Sequence, residues 1–308
     1  MSPAPTSATP PLPRTGGVNL SLAELRAWKS GLPPEITGDR GQFLFTLSGY
    51  IIAAFTSVDW VKENMLANSL GATGDRGFLQ VDHSSDIARE TKRLRMLELA
   101  EILFNLQGVN GFDECVERMK TGNTDQIEAT VAELEFAKLL RMHNIDFKFV
   151  VPDRAAGGRN YDFELALDTH PVVCADAKCK LESTEIDPVS VRNTLSEGRR
   201  QLPRDQPGIL YVKVPQHWFE RPEMAEELRR IAYGFLGATE RVVMVCYYLS
   251  HLSFDSVRQE TTHRHAYDEI VNRRSRFSSR DWRLFSTFTP PSDWVDGLPP
   301  TWVWLKSL

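Results

Sequence analysis

The chain has 308 residues, of which 42% are hydrophobic and 25% charged, with a formal net charge of −5 at pH 7. That length supplies one large domain or two ordinary ones with ample core, and the composition excludes collagen-like and low-complexity classes. The mild acidity counts against a protein that coats nucleic acid without specificity, while leaving room for a local basic groove.

Residues 1–17 hold five prolines and two glycines with little apolar bulk, so a disordered proline-rich tail is expected. From Leu20 the pattern turns helical, and Ser21 with Glu24 three residues on makes a capping box. An apolar helical stretch covers Gly41 to Asn68, followed by a glycine-rich connector at Gly71 to Gly77. Asp86 to Leu106 is a long amphipathic helix with Ile87, Leu94, Leu97, Ala100, Ile102 and Leu103 on one side. Gly108 and Gly111 end it, and a shorter helix runs from Phe112 to Lys120. Residues 18–122 are thus expected to form an α-helical N-terminal region, able to recognise DNA or a protein partner.

Residues 123–308 read as an α/β domain with a mixed central sheet flanked by helices. Thr124 or Asp125 caps a helix reaching His143, and Ile145 to Val150 follows as a strand. Tyr161 to Lys180 reads as a β-hairpin with its turn at Asp168 to Pro171. Asp187-Pro188 starts a helix through Gln201, Gly208 to Val214 is a buried strand, and Arg221 to Leu236 is a helix opened by Pro222. Arg241 to Leu249 is a further buried strand. Beyond it, Arg258 to Arg283 holds seven arginines against four acids. Trp294, Trp302 and Trp304 close the chain, packing its end onto the sheet.

The cysteines Cys115, Cys174, Cys179 and Cys246 show neither a CxxC pair nor zinc-ligand spacing, so reduced, buried thiols in a cytoplasmic protein are expected. No apolar run approaches the roughly 18 residues of a membrane span. The first residues lack a signal-peptide pattern. A soluble protein with no membrane partner follows as the expectation.

The chemistry concentrates on the hairpin. Folding it about Thr169 brings Asp162 opposite Asp176, or within a residue of it, and directly opposed residues sit about 5 Å apart at Cβ. Like charges at that spacing repel unless a cation or proton lies between them. Lys178, two residues after Asp176, shares its face. The competing account is a structural salt bridge of these acids with Lys178 or Arg159. Two other acid-x-Lys triplets lack an opposed carboxylate. Glu90-Thr91-Lys92 falls in a helix, and Asp146-Phe147-Lys148 presents a solvated strand face. On the helix before the hairpin, Ala129, Ala132, Phe136 and Leu140 mark the apolar face, with Lys138 and Arg141 opposite. Glu133 lies nearer that face than Glu135, which reads as a surface pair with Lys138. Glu133 is therefore the expected third ligand. His263-Arg264-His265 puts two imidazoles on one strand face, and ordinary polar packing accounts for them.

A helix with Glu133, a strand, a strand with Asp162, a third strand ending Asp176-Ala177-Lys178, then helix and strand resembles the PD-(D/E)xK nuclease superfamily, the restriction-endonuclease-like fold. The resemblance covers Thr124 to Leu249. Asp162 follows Tyr161 instead of proline, and Asp176 stands where glutamate is commoner. Gln201 matches the glutamine of one branch's Gln-plus-Tyr motif, but no tyrosine follows at its spacing. The resemblance implies that Asp162, Asp176 and Glu133, with the Ala177 carbonyl, hold Mg²⁺ or Mn²⁺ while Lys178 orients the attacking water. It implies a nuclease acting on nucleic acid, with DNA favoured over RNA. Arg199, Arg200 and Arg204 are the candidate contacts to a phosphate backbone. A catalytically inactive scaffold that binds nucleic acid or a protein partner is the alternative.

Overall fold

The computed structural model describes residues 19–66, 86–151, 161–167, 170–180, 184–185, 187–215, 217–218, 221, 223–255, 260–277, 282–285 and 302–308. The proline-rich tail, the glycine loop at 71–77, the hairpin tip Asp168–Thr169, Arg159 and Trp294 lie outside the described residues. No helix among the described residues is long and apolar enough to cross a membrane.

The N-terminal half is helical. It comprises α1 (Leu22–Ser30), α2 (Pro34–Gly38), α3 (Arg40–Phe55), α4 (Val58–Val61) running into a π-turn (Lys62–Leu66), α5 (Asp86–Leu106) and α6 (Phe112–Thr121). The capping box at Ser21 forms, with the Glu24 carboxylate taking up the Ser21 N–H at 2.7 Å. The apolar stretch after Gly41 is not one helix. It breaks at Thr56–Ser57, where the Ser57 hydroxyl caps a new turn by accepting from Trp60 N at 3.0 Å.

Next come α7 (Thr124–Met142), β1 (Asp146–Phe149), β2 (Phe163–Leu167), β3 (His170–Cys179), α8 (Pro188–Gln201), β4 (Gly208–Lys213), α9 (Met224–Leu236), β5 (Val242–Asp255) and β6 (Glu260–Val271). The cap of α7 is Asn123 in place of Thr124 or Asp125, because Asn123 and Gln126 exchange side-chain-to-backbone hydrogen bonds. Helix α9 starts at Met224, three residues later than the proline suggested.

The six strands form one sheet in sequential order, β1 to β6. The pairs β3–β4 and β4–β5 are parallel and the others antiparallel. The parallel pairs need long crossovers, which α8 and α9 supply. Both crossover helices share a core with one face of the sheet, through Cys174, Leu210, Val212, Val245 and Tyr247. Helix α7 packs on the other face. Phe136 stacks on Tyr211 at 4.5 Å and meets Phe163 edge-on at 5.2 Å. Each such buried ring contributes on the order of 1.5–3 kcal/mol.

That second core is continuous with α1, α3, α5 and α6, so the N-terminal helices and the sheet share one apolar interior. Helix α7 is therefore covered on both sides, and every residue from Thr130 to Leu140 is buried. At Gly111 (φ 82°) a Cβ would lie 2.5 Å from the Phe149 carbonyl, so the turn before α6 can press against β1 only with glycine there.

Two parts of the C-terminal third differ from expectation. β5 continues six residues past Leu249 and pairs along its length with β6, a charged strand that shows little apolar alternation. His263 and His265 lie on β6, and their side chains are outside the described residues. The described chain end bonds to α5 within the core it shares with the sheet: Val303 N donates to Asn105 Oδ1, Leu305 N donates to Glu101 Oε1, and Trp302 is buried.

Candidate functional site

The hairpin register runs Phe163↔Ala175, Glu164↔Cys174 and Leu165↔Val173. Continued by one residue, it sets Asp162 directly opposite Asp176. Asp162 is half-buried just before β2; its Oδ2 accepts the Ala177 N–H at 2.8 Å, and its carbonyl accepts the Val150 N–H at 2.8 Å. Asp176 is fully buried. The two carboxyl groups reach each other, and burial followed by the Asp162 charge raises Asp176 well above the ordinary carboxylate range. Burial also raises Asp162, against the opposing pull of Lys178 and the Ala177 N–H.

Lys178 shares the face of Asp176 across the pleat, as its spacing requires. Its Nζ donates to Asp176 Oδ1 at 3.0 Å, lies 2.8 Å from Oδ2, and also donates to Gln201 Oε1. Burial alone would lower its pKa, but Asp176 and Asp162 together outweigh burial and raise it. Gln201 ends α8, whose first turn is fixed by Asp187 accepting from Val189 N and Ser190 N. Gly198 lets this helix lie on the acid: a Cβ there would be 2.8 Å from Asp176 Oδ2 and 2.8 Å from Leu210 Cδ2.

Glu133 is buried on α7 and ion-paired to Arg118 of α6, with Cys115 Sγ at 3.8 Å. Burial first, and the Asp162 charge next, raise its pKa to about 8. It therefore feels the acid pair while its carboxylate is engaged by Arg118. Among the described residues, no three Asp, Glu, His or Cys side chains converge on a shared metal position. The structure thus brings Asp162, Asp176 and Lys178 together, with Glu133 nearby but not converged on them.

Glu135 and Lys138 are not the surface pair their spacing suggested. Glu135 is fully buried and pairs with Lys213 of β4 at 2.6 Å, while Lys138 pairs with Glu98 of α5 at 2.7 Å. Lys138, solvated on a helical wheel, is roofed here by α5, while Glu135 turns towards the sheet. Of the decoy triplets, Glu90–Lys92 lies in α5, where Lys92 is buried. Lys148 pairs across strands with Glu164 at 2.6 Å and stays half exposed.

Arg199, Arg200 and Arg204 stand together at the end of α8 and just beyond it, beside Arg241 and Arg276. The last two went unnoticed in the sequence because they come from distant turns. Gly198 and Arg118 were also missed. A glycine inside a helix, which costs about 1 kcal/mol against alanine, was the signal for the first.

No protein-family model matches the chain, and no curated protein matches it. Among solved structures it is similar to the central domain of yeast acetyl-CoA carboxylase at 9% identity and a TM-score of 0.32, covering 78% of this chain and 43% of that one. The chain thus spans less than half the length of that protein chain, and a likeness this slight carries no argument. What defines the class is the sheet itself: an α/β protein with a six-stranded mixed sheet, flanking helices and a helical N-terminal region.

Proposed function

We propose that the chain is a metal-dependent phosphodiester hydrolase acting on nucleic acid, with Mg²⁺ or Mn²⁺ held by Asp162 and Asp176. The observation that carries the proposal is the opposition of these two carboxyls across β2 and β3, with the Lys178 ammonium bound to one of them. The order α7-β1-β2-β3-α8-β4 around them is the one that the PD-(D/E)xK resemblance implies. Hard oxygen donors with raised pKa values fit a hard divalent cation, whose charge would relieve their repulsion. Glu133 would join as a third ligand on release from Arg118, and the Ala177 carbonyl is the donor that the resemblance adds.

Such an ion, when bound, lowers the pKa of a water and stabilises charge on a phosphate. Lys178, held by Asp176, would present its ammonium as a donor to the attacking oxygen or the phosphate oxyanion. Gln201 and Asp176 fix the direction in which it points.

Incubation with plasmid, single-stranded DNA and RNA in Mg²⁺ or Mn²⁺ tests the proposal. Cleavage that disappears in Lys178→Ala is the expected result. A second reading, a scaffold that binds nucleic acid or a protein without cutting, is favoured by the engagement of Glu133 with Arg118. Binding without cleavage in either metal would select it.

A further inference from the structure

On the α8–α9 face, the last turn of α8, the segment after it, the α9–β5 turn and the turn after β6 enclose an open basin of about 670 Å³. Five arginines line it, Arg199, Arg200, Arg204, Arg241 and Arg276, against one acid, Glu240. Among the described residues none of the five is ion-paired to a carboxylate. Burial first, then repulsion from Arg199, Arg204 and Arg276, lowers the pKa of Arg241. A chain of net charge −5 thus concentrates uncompensated positive charge at one place.

The basin is built, and its arginines are not loose surface chains. Arg199 donates to the Ala238 carbonyl at 3.4 Å, Arg241 to the Arg199 carbonyl and Arg276 to the Arg204 carbonyl. Arg199 also covers the Phe235 ring at 5.7 Å. Buried Asn272 pins the floor by donating to the Thr239 and Val242 carbonyls at 2.7 and 2.8 Å. The Arg276 N–H donates to the Glu240 carbonyl at 3.0 Å. A guanidinium carries five donors in a planar fork. Having spent one on a carbonyl, each of these three keeps others for an oxyanion, while the side chains of Arg200 and Arg204 bond to none of the described residues. Planar forks of this kind match phosphate oxygens bidentately. The basin is wide for a single phosphate and open to solvent, so a chain of phosphates can enter it.

We propose that this basin is a phosphate-binding site that takes two or more phosphates of one linear ligand, either a nucleic-acid strand or a free polyphosphate. Arg241 and Arg276 complete a site whose other three arginines come from the last turn of α8 and the segment just after it. The inference does not depend on hydrolysis at Asp176, and its test contains no divalent metal.

Binding of a fluorescent single-stranded oligonucleotide lacking terminal phosphates, and of linear tripolyphosphate, is measured in EDTA across a salt series. The comparison is with Arg200→Ala/Arg204→Ala, whose side chains are exposed and bond to nothing else in the described structure, so the fold should persist. The expected result is a loss of about tenfold or more in affinity, with a salt slope reduced by about 0.7 per arginine removed. Tripolyphosphate that binds and displaces the oligonucleotide identifies a free polyphosphate as able to fill the site; an oligonucleotide that alone binds identifies the strand as the ligand. Unchanged affinity in the double variant, or no binding of either probe at low salt, overturns the proposal.

Discussion

Asp162 and Asp176 face each other from adjacent antiparallel strands, and Asp162 also takes up the backbone N–H of the residue that follows its partner. Burial raises both pKa values, and their proximity adds to the rise at Asp176. Any cation bound between them must displace protons held above the ordinary carboxylate range. Mn²⁺ affinity is therefore expected to rise with pH through and above the usual carboxylate titration near pH 4. Calorimetry in two buffers of different ionisation enthalpy checks this by measuring proton release on binding. Affinity independent of pH would count against it.

Gly198 sets how closely α8 approaches β3 and β4. In Gly198→Ala the new methyl group meets Asp176 Oδ2 and Leu210 at once, so the helix must lift. A loss of about 1–3 kcal/mol in urea unfolding is expected, along with a weakened hold of Gln201 on Lys178.

The Glu135–Lys213 pair sits in the shared core between α7 and β4. Glu135→Ala leaves the Lys213 ammonium buried without its main partner, at an expected cost of about 3–5 kcal/mol. The double variant Glu135→Met/Lys213→Met should recover most of that loss, because no charge is then stranded. Equal losses in both variants would show that packing, not charge, dominates there.

His143 at the end of α7 lies 4.9 Å from the Phe285 ring, and burial lowers its pKa from 6.5 to about 4. Between those values the unfolded chain binds more protons than the folded one, so this contribution to stability rises with pH. It is complete above about pH 6.5 and is lost as the pH falls towards 4. The slope is at most about 1.4 kcal/mol per pH unit for one group. In His143→Gln the same unfolding series should be flatter over this window.

Much of this architecture was legible in the sequence where local signals decide structure. The bounds of α5, α6 and α8 follow from periodicity, glycines and the Asp187-Pro188 cap. The Asp162–Asp176 register follows from alternation about Thr169. The fate of Glu135 and Lys138 was not legible, because a helical wheel assumes a solvent face: α5 covers Lys138, and Glu135 turns to Lys213 on the sheet. β6 was obscured by charge, since its place is set by backbone pairing with β5 more than by apolar alternation. The five-arginine basin joins turns more than 30 residues apart, which no local pattern reveals.

The most direct test of the central claim is a Mn²⁺ titration of the folded protein by calorimetry, comparing wild type with Asp176→Asn. Asparagine keeps the shape of the carboxyl and removes one of the opposed charges, so the fold should persist while Mn²⁺ binding is lost. Equal Mn²⁺ affinity in the two proteins would contradict a metal centre at Asp162 and Asp176.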